Sequence, residues 1–347
     1  MTGREGSMEQ LKDKILGSLL GAAIGDAMGA ATEVRTREQI IETFGGLVRD
    51  FCTPPQDTFA RGGKAGQVTD DFSFIHCIVM EVLMDHGFSL AGMERATLTW
   101  GENEYNLEHF AGPTTRAAIL RLRGADTPNP CAFLKCDNGQ ATNGAGMKAS
   151  PAGLFHPGDV DAAIDDAILI CKPTHNNNLA ISGACAVAAA VSKALVTSDD
   201  CGAVIRAGIY GAQEGMKRCG DAAILAGPSI ERRIRLAVEL GEKASNMDQA
   251  MQDIYDLIGT GLHIAEAVPA AFGLFAAAGG NAMEAITAAV NIGNDTDTVA
   301  AICGAIAGAY TGTATLDPHF QRDLEAVNGY QFDQMAEEIF RMVCQGT

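Results

Sequence analysis

Aromatic side chains make up only 6% of the 347 residues, with one Trp and five Tyr. Runs of β-branched residues are equally scarce, so the usual material of a sheet sandwich or barrel is missing. Basic residues are few: 25 Lys and Arg stand against 43 Asp and Glu, a formal charge of −18. That excess argues against nucleic acid or an anionic membrane as partner, since both attract basic patches. The ten cysteines come without a signal peptide and without the paired Cys-x-x-Cys spacing of a zinc ribbon. Reduced thiols in a cytoplasmic protein are therefore expected. The longest apolar stretch, Ile15 to Ala31, is interrupted by Asp26 and diluted by Gly and Ala, which reads as a buried helix rather than a membrane span.

What the chain does have is Ala and Gly within a hydrophobic fraction of 47%, a composition that predicts closely packed helices and an all-α fold. Helical periodicity predicts helices over 8–30, 71–86, 114–122, 160–171, 178–196, 203–218, 230–243, 247–259, 264–278, 282–291, 297–310 and 332–344. No Ser/Pro/Gly-rich linker separates them, so residues 11–347 are expected to form one compact domain, and residues 1–10 to be disordered or extraneous to it. Gly17, Gly21, Gly25 and Gly29 recur every four residues, as do Gly304, Gly308 and Gly312. Each set strips side chains from one helical face and lets another backbone come close. If these two faces pack together, Asp26 and Glu33 come near Asp295 and Asp297.

Two acidic clusters, Thr69-Asp70-Asp71 and Asp295-Thr296-Asp297-Thr298, each open an apolar helix. The ordinary role of such residues is helix capping. Capping needs one residue, however, and each cluster offers two acids with interleaved hydroxyls, the oxygen set of a hard cation such as Mg²⁺ or Mn²⁺. Three loops hold further chemistry. The segment Thr53 to Gln67, with Arg61 and several glycines, precedes the first cluster. In Asn143-Gly144-Ala145-Gly146-Met147-Lys148, backbone amides can cradle phosphate oxygens and Lys148 can add charge, although a plain turn has the same composition. His175, in Lys172 to Asn178, can hydrogen-bond a ligand, and Asn178 can cap the next helix.

Taken in order, Gly21 to Gly29 with Glu33, Thr69 to Asp71, Asn143 to Met147, Thr174-His175 and Asp295 to Thr298 resemble the ADP-ribosylglycohydrolase family, which includes the dinitrogenase reductase-activating glycohydrolases. The resemblance spans roughly residues 11–312 and implies an orthogonally packed helical domain with a binuclear Mg²⁺ or Mn²⁺ centre. It implies Thr69, Asp70, Asp71, Asp295, Asp297 and Thr298 as metal ligands. Glu33, with Asp70 and Asp297, would form the catalytic group, and Asn143 to Lys148 with His175 would contact the substrate. There are departures: Phe72 stands where a second Thr is usual, Asn294 where Gly is common, Lys148 where many relatives have Arg, and Asn176 to Asn178 replace a second His.

The activity so implied is hydrolysis of the N- or O-glycosidic bond between ADP-ribose and an acceptor, a protein side chain or a small molecule, through an oxocarbenium-like transition state. Glu33, Asp70, Asp71, Asp295 and Asp297 would crowd five negative charges together, of which two divalent ions offset four. The competing readings are a relative that binds ADP-ribose without cleaving it, a two-metal phosphoesterase, and a glycohydrolase of a free ribosylated small molecule. Oligomeric state is left open by the sequence, a monomer being the simplest case.

Overall fold

The computed structural model describes residues 2–125 and 136–345, so Cys131 lies outside the described residues. In chain order the α-helices are α1 (Thr2–Thr32), α2 (Arg37–Phe44), α3 (Asp70–Asp85), α4 (Leu90–Trp100), α5 (Glu104–His109), α6 (Pro113–Leu122), α7 (Ser150–Leu154), α8 (Val160–Cys171) and α9 (Asn178–Leu195). They continue as α10 (Cys201–Arg218), α11 (Ile230–Lys243), α12 (Met247–Leu257), α13 (Ile264–Ala277), α14 (Ala282–Val290), α15 (Thr296–Thr311), α16 (Pro318–Asn328) and α17 (Phe332–Gln345). Two 3₁₀ turns, Asn138–Gln140 and Asn143–Ala145, lie between α6 and α7. Among the described residues there is no sheet, only isolated bridges, and no disulfide. The expected all-α architecture is what the chain adopts.

The first helix begins at Thr2 rather than at the expected Met8. Nothing in Thr2 to Ser7 stops a helix, since the segment has no Pro and its two glycines, Gly3 and Gly6, lower helix propensity without breaking the hydrogen-bond ladder. Met8–Thr32 and Asn178–Leu195 are long and apolar enough to cross a membrane, but 94% of each apolar window is buried inside the fold. They are core helices whose largely apolar surfaces are covered by the rest of the fold.

At the centre α1 and α15 run antiparallel with their backbones touching. A Cβ built on Gly17 would lie 2.5 Å from the Gly308 carbonyl oxygen, and one on Gly29 would lie 2.5 Å from the Asp297 nitrogen. On Gly21 and Gly25 it would run into the carbonyls of Gly304 and Ala300. The reciprocal glycines, Gly304 and Gly308, would collide with Gly21 and Gly17. Because the helices are antiparallel, the C-terminal end of α1, with Asp26 and Glu33, arrives beside the N-terminal end of α15. The expected juxtaposition is realised.

Helix propensity and packing make opposite demands at these glycines, which gives a test of sign. Propensity alone predicts that Gly21→Ala stabilises, by about 0.5–1 kcal/mol. The close approach predicts instead a loss of about 3 kcal/mol, because the obstructing atoms are backbone and cannot rotate away. Gly112, with open space around it and φ of −62°, is the control, and Gly112→Ala should be near neutral. Urea unfolding of the two variants reads the difference.

Candidate active site

Thr69 occupies the N-cap position of α3 and Asp295 that of α15, yet neither side chain accepts a hydrogen bond from its own first turn. In α3 the capping passes to Asp26, fully buried and reaching across from α1. Its carboxylate accepts from Thr69 N at 2.9 Å, Phe72 N at 2.8 Å and Thr69 Oγ1 at 2.7 Å. Phe72 N is the amide that an ordinary N-cap side chain would take. With that amide served from α1, none of Thr69, Asp70 and Asp71 has to cap the helix, and the Thr69 hydroxyl instead meets Asp26 and Asp71 Oδ2, the latter at 3.2 Å. Phe72 itself turns into the core, its ring 5.3 Å from those of Tyr330 and Phe332.

The start of α15 is held against the end of α1. Thr296 Oγ1 donates to Gly29 O at 3.0 Å and lies 2.9 Å from Thr32 Oγ1. Just beyond, Val34 N donates to Asn294 O and Asn294 N to Arg35 O, each at 2.8 Å. Asn294 has φ of +68°, a region that Asn enters more readily than other residues with a Cβ, which accounts for Asn in place of Gly. Val34 has φ of +59°, a strained backbone for a β-branched residue. The bridge to Asn294 holds that turn and keeps Glu33 beside Asp295.

Glu33, Asp295 and Asp297 each present a carboxylate oxygen, all within 4.8 Å of one another. All three are buried. Asn143 Nδ2 donates to Asp295 Oδ2 at 2.5 Å, and Thr298 N donates to Asp297 Oδ1 at 3.0 Å. Among the described residues, Asp71 Oδ1 is buried with no hydrogen-bond partner. Burial, then the neighbouring Asp295, Asp70 and Asp26 carboxylates, push the Glu33 carboxyl well above its usual range, against a smaller opposing pull from Arg35. Asp297 is raised well above its usual range by burial and then by Glu33, Asp295 and Asp71. Asp71 is raised likewise by burial and by Asp26, Asp70 and Asp295, and Asp70 is pushed up to about 7 by burial and Asp26. An orphaned buried carboxylate oxygen, an all-oxygen donor set and acids driven toward protonation fit a hard divalent cation; neither His nor Cys belongs to the cluster.

A cavity of about 440 Å³ opens onto the cluster, lined there by Glu33, Asp70, Asp295, Asp297 and Thr298. Elsewhere it is lined by Phe59 and Arg61, by the segment from Glu108 to Thr115, by Leu262, and by Thr142, Asn143, Gly144, Met147 and His175. Thr69 and Asp71 lie behind this surface, each 1% exposed. Ala145 and Gly146 do not line it either; a Cβ on Gly146 would meet Val268 at 2.8 Å, so the pair packs inward. Lys148, expected to reach phosphate or ribose, does not line the cavity. It is 1% exposed, donates to Thr174 Oγ1 at 2.8 Å and lies 4.5 Å over the Phe74 ring. Burial lowers its pKa to about 8.

Sequence reasoning brought Asp26 near Asp295 and Asp297 but gave it no role there, although a carboxylate inside an apolar glycine-rich helix was the available signal. Thr142 and the 108–115 segment left no such signal, because only tertiary packing brings them to the cavity.

These shifts set the pH dependence of the metal-free protein. A folded acid with a raised pKa binds its proton where the unfolded chain has released it, so stability falls as pH rises from the ordinary carboxylate range near 4 toward the raised value. For Asp70 that window runs from 3.8 to about 7. In chelator, Asp70→Asn should therefore lose less stability than the parent between these limits and be the more stable of the two at pH 8. Parallel urea-unfolding profiles would show that Asp70 keeps an ordinary pKa in the fold.

A sequence profile of the ADP-ribosylglycohydrolase family matches residues 7–346. The chain is 31% identical over 330 residues to the uncharacterized protein YegU of Escherichia coli (strain K12), an alignment covering 93% of this chain and 95% of that protein. It is 26% identical over 293 residues to the ADP-ribosylhydrolase ARH3 of Gallus gallus, covering 80% and 78%. A solved structure described as an ADP-ribosylglycohydrolase-related protein complex superposes with a TM-score of 0.67 at 25% identity, covering 96% of this chain and 99% of that one. The chain belongs to the ADP-ribosylglycohydrolase family.

Proposed function

We propose that this protein is a metal-dependent hydrolase that cleaves the N- or O-glycosidic bond joining ADP-ribose to an acceptor, a protein side chain or a small molecule. The observation that carries the reading is the convergence of the buried Glu33, Asp295 and Asp297 carboxylates within 4.8 Å, beside a cavity of about 440 Å³. That volume lies in the range of sites for nucleotide-sized ligands. Three carboxylates in so small a space, with Asp70 and Asp71 in electrostatic reach, need positive charge, and two divalent ions, Mg²⁺ or Mn²⁺, are the natural supply. Thr69, Asp70, Asp71, Asp295, Asp297 and Thr298 would hold them. When bound, such ions neutralise the cluster and polarise the oxygens they meet.

The chain's own residues supply the rest. The bond from C1″ to the acceptor nitrogen or oxygen breaks, a water oxygen bonds to C1″, and the water proton ends on the acceptor. Glu33, inside the cavity with its pKa raised by burial, is placed to move that proton, either onto the leaving atom or off the attacking water. The acidic floor favours positive charge developing at C1″. Asn143 keeps Asp295 oriented through its 2.5 Å hydrogen bond.

The test is release of ADP-ribose from N-linked and O-linked ADP-ribosyl substrates in Mg²⁺, Mn²⁺ or chelator. Release is expected with metal alone and to be absent in Asp297→Ala. Glu33→Gln should slow turnover roughly 10²–10⁴-fold and still show the rise in melting temperature that metal gives the parent. Tight ADP-ribose binding with no release from any substrate would replace the hydrolase with a binding protein.

A further inference from the structure

Lys148 is an ammonium buried in the fold with no ion pair among the described residues. A lone buried charge is expensive, and its retention asks for a reason. The Phe74 ring at 4.5 Å and Thr174 Oγ1 at 2.8 Å are its near partners. From Thr174 a chain of short contacts leads to the cavity: Thr174 Oγ1 lies 2.7 Å from His175 Nδ1, and His175 Nε2 lies 2.8 Å from Thr142 Oγ1. Thr142 and His175 both line the cavity. The imidazole also stands against the loop, since a Cβ on Gly144 would lie 3.0 Å from its Nε2.

Counting protons gives this chain a direction. An ammonium has only donors, so Thr174 Oγ1 must accept from Lys148. The one proton of the Thr174 hydroxyl has a single acceptor among its hydrogen-bond contacts, His175 Nδ1. Nδ1 is then unprotonated, the ring proton sits on Nε2, and Nε2–H donates to Thr142 Oγ1. Burial, with Lys148 nearby, holds the imidazole neutral by lowering its pKa well below the usual value. The Thr142 hydroxyl, already accepting from the ring, has its own proton left to give.

We propose that Lys148 is a positioning residue: through Thr174 it fixes His175 as the Nε2–H tautomer and so turns the Thr142 hydroxyl proton toward the cavity, as a donor to an anionic oxygen of the ligand. This builds on the reading of the cavity as an ADP-ribose site, where the phosphate oxygens are the anionic acceptors. The hydroxyl lies next to Asn143, whose amide holds Asp295, so the donor stands one residue from the acidic floor. Lys148 thus acts on the ligand from behind, without touching it.

The tautomer is read directly from the ¹⁵N chemical shifts of the His175 ring in the full chain, without ligand or activity. The parent should show a protonated Nε2 and a bare Nδ1. Lys148→Met keeps the apolar stem over Phe74, and Thr174→Val keeps the shape while removing the relay. Each should shift the ring toward the Nδ1–H form or a mixture. A parent with Nδ1–H, or variants with unchanged ring shifts, would overturn the assignment. ADP-ribose titrated into the Mg²⁺-loaded protein then tests the outcome at Thr142: Thr142→Val should bind on the order of tenfold more weakly or worse, and Thr142→Ser should restore most of it. Equal affinity in Thr142→Val would remove the donor role. Should the parent fail to bind ADP-ribose at all, the site assignment and the ligand role of Thr142 both fall, whereas the tautomer result still decides whether Lys148 orders the relay.

Discussion

The contact between the α1 and α15 backbones is the constraint on which the site depends. Glycines on both sides leave no side chain between the helices, so their separation is set by main-chain atoms and has no rotamer freedom to absorb change. The same contact fixes their register in steps of one helical turn. Glu33 and Asp297 are neighbours because Gly29 already lies against the Asp297 backbone. A site that must hold carboxylates a few ångströms apart gains from being built on two rigid helix ends rather than on loops.

That rigidity holds together groups that repel. Burial and mutual charge drive Glu33, Asp71 and Asp297 toward their protonated forms, and the basic residues nearby do little to relieve them. Arg35 spends one nitrogen on the Glu33 carbonyl oxygen at 3.0 Å and another on Asp57. The N-terminal ends of α3 and α15 both point into the cluster, and their partial positive charge opposes some of the repulsion. The remaining imbalance is the physical basis for expecting cations there. Asp26 fits the same scheme from outside the cavity, because by capping α3 it relieves Thr69, Asp70 and Asp71 of that role.

The helices with a clear apolar period were legible in the sequence: α8 and α11 have the same ends, Val160–Cys171 and Ile230–Lys243, in pattern and in structure. The periodicity reading did not find α2, α4, α5, α7 and α16. These are short or weakly apolar, and what marks two of them is local chemistry instead: the Thr36 and Gln39 capping box of α2 and Pro318 in the first turn of α16. In the site, the acidic clusters stand out because capping does not require so many acids, and the four-residue glycine spacing foretold which helix ends would meet. Lys148 was misjudged because spacing along a chain does not say which way a turn points each residue. Met147 faces the cavity and its neighbour faces the core.

The cavity is rigid at its floor and open at its rim, and the two parts answer to different pressures. Floor residues such as Asp295 and Asp297 are buried at helix starts, fixed by main-chain hydrogen bonds and helix contact. At the rim, Phe59 is 48% exposed and Leu262 65% exposed, both on connecting segments. Loops that bear exposed apolar side chains change at small cost to the fold, while a change at the floor meets backbone. In the proposed reaction, chemistry at C1″ would fall to the helix ends, and the choice of acceptor to Phe59 and Arg61, the 108–115 segment and Leu262 at the rim.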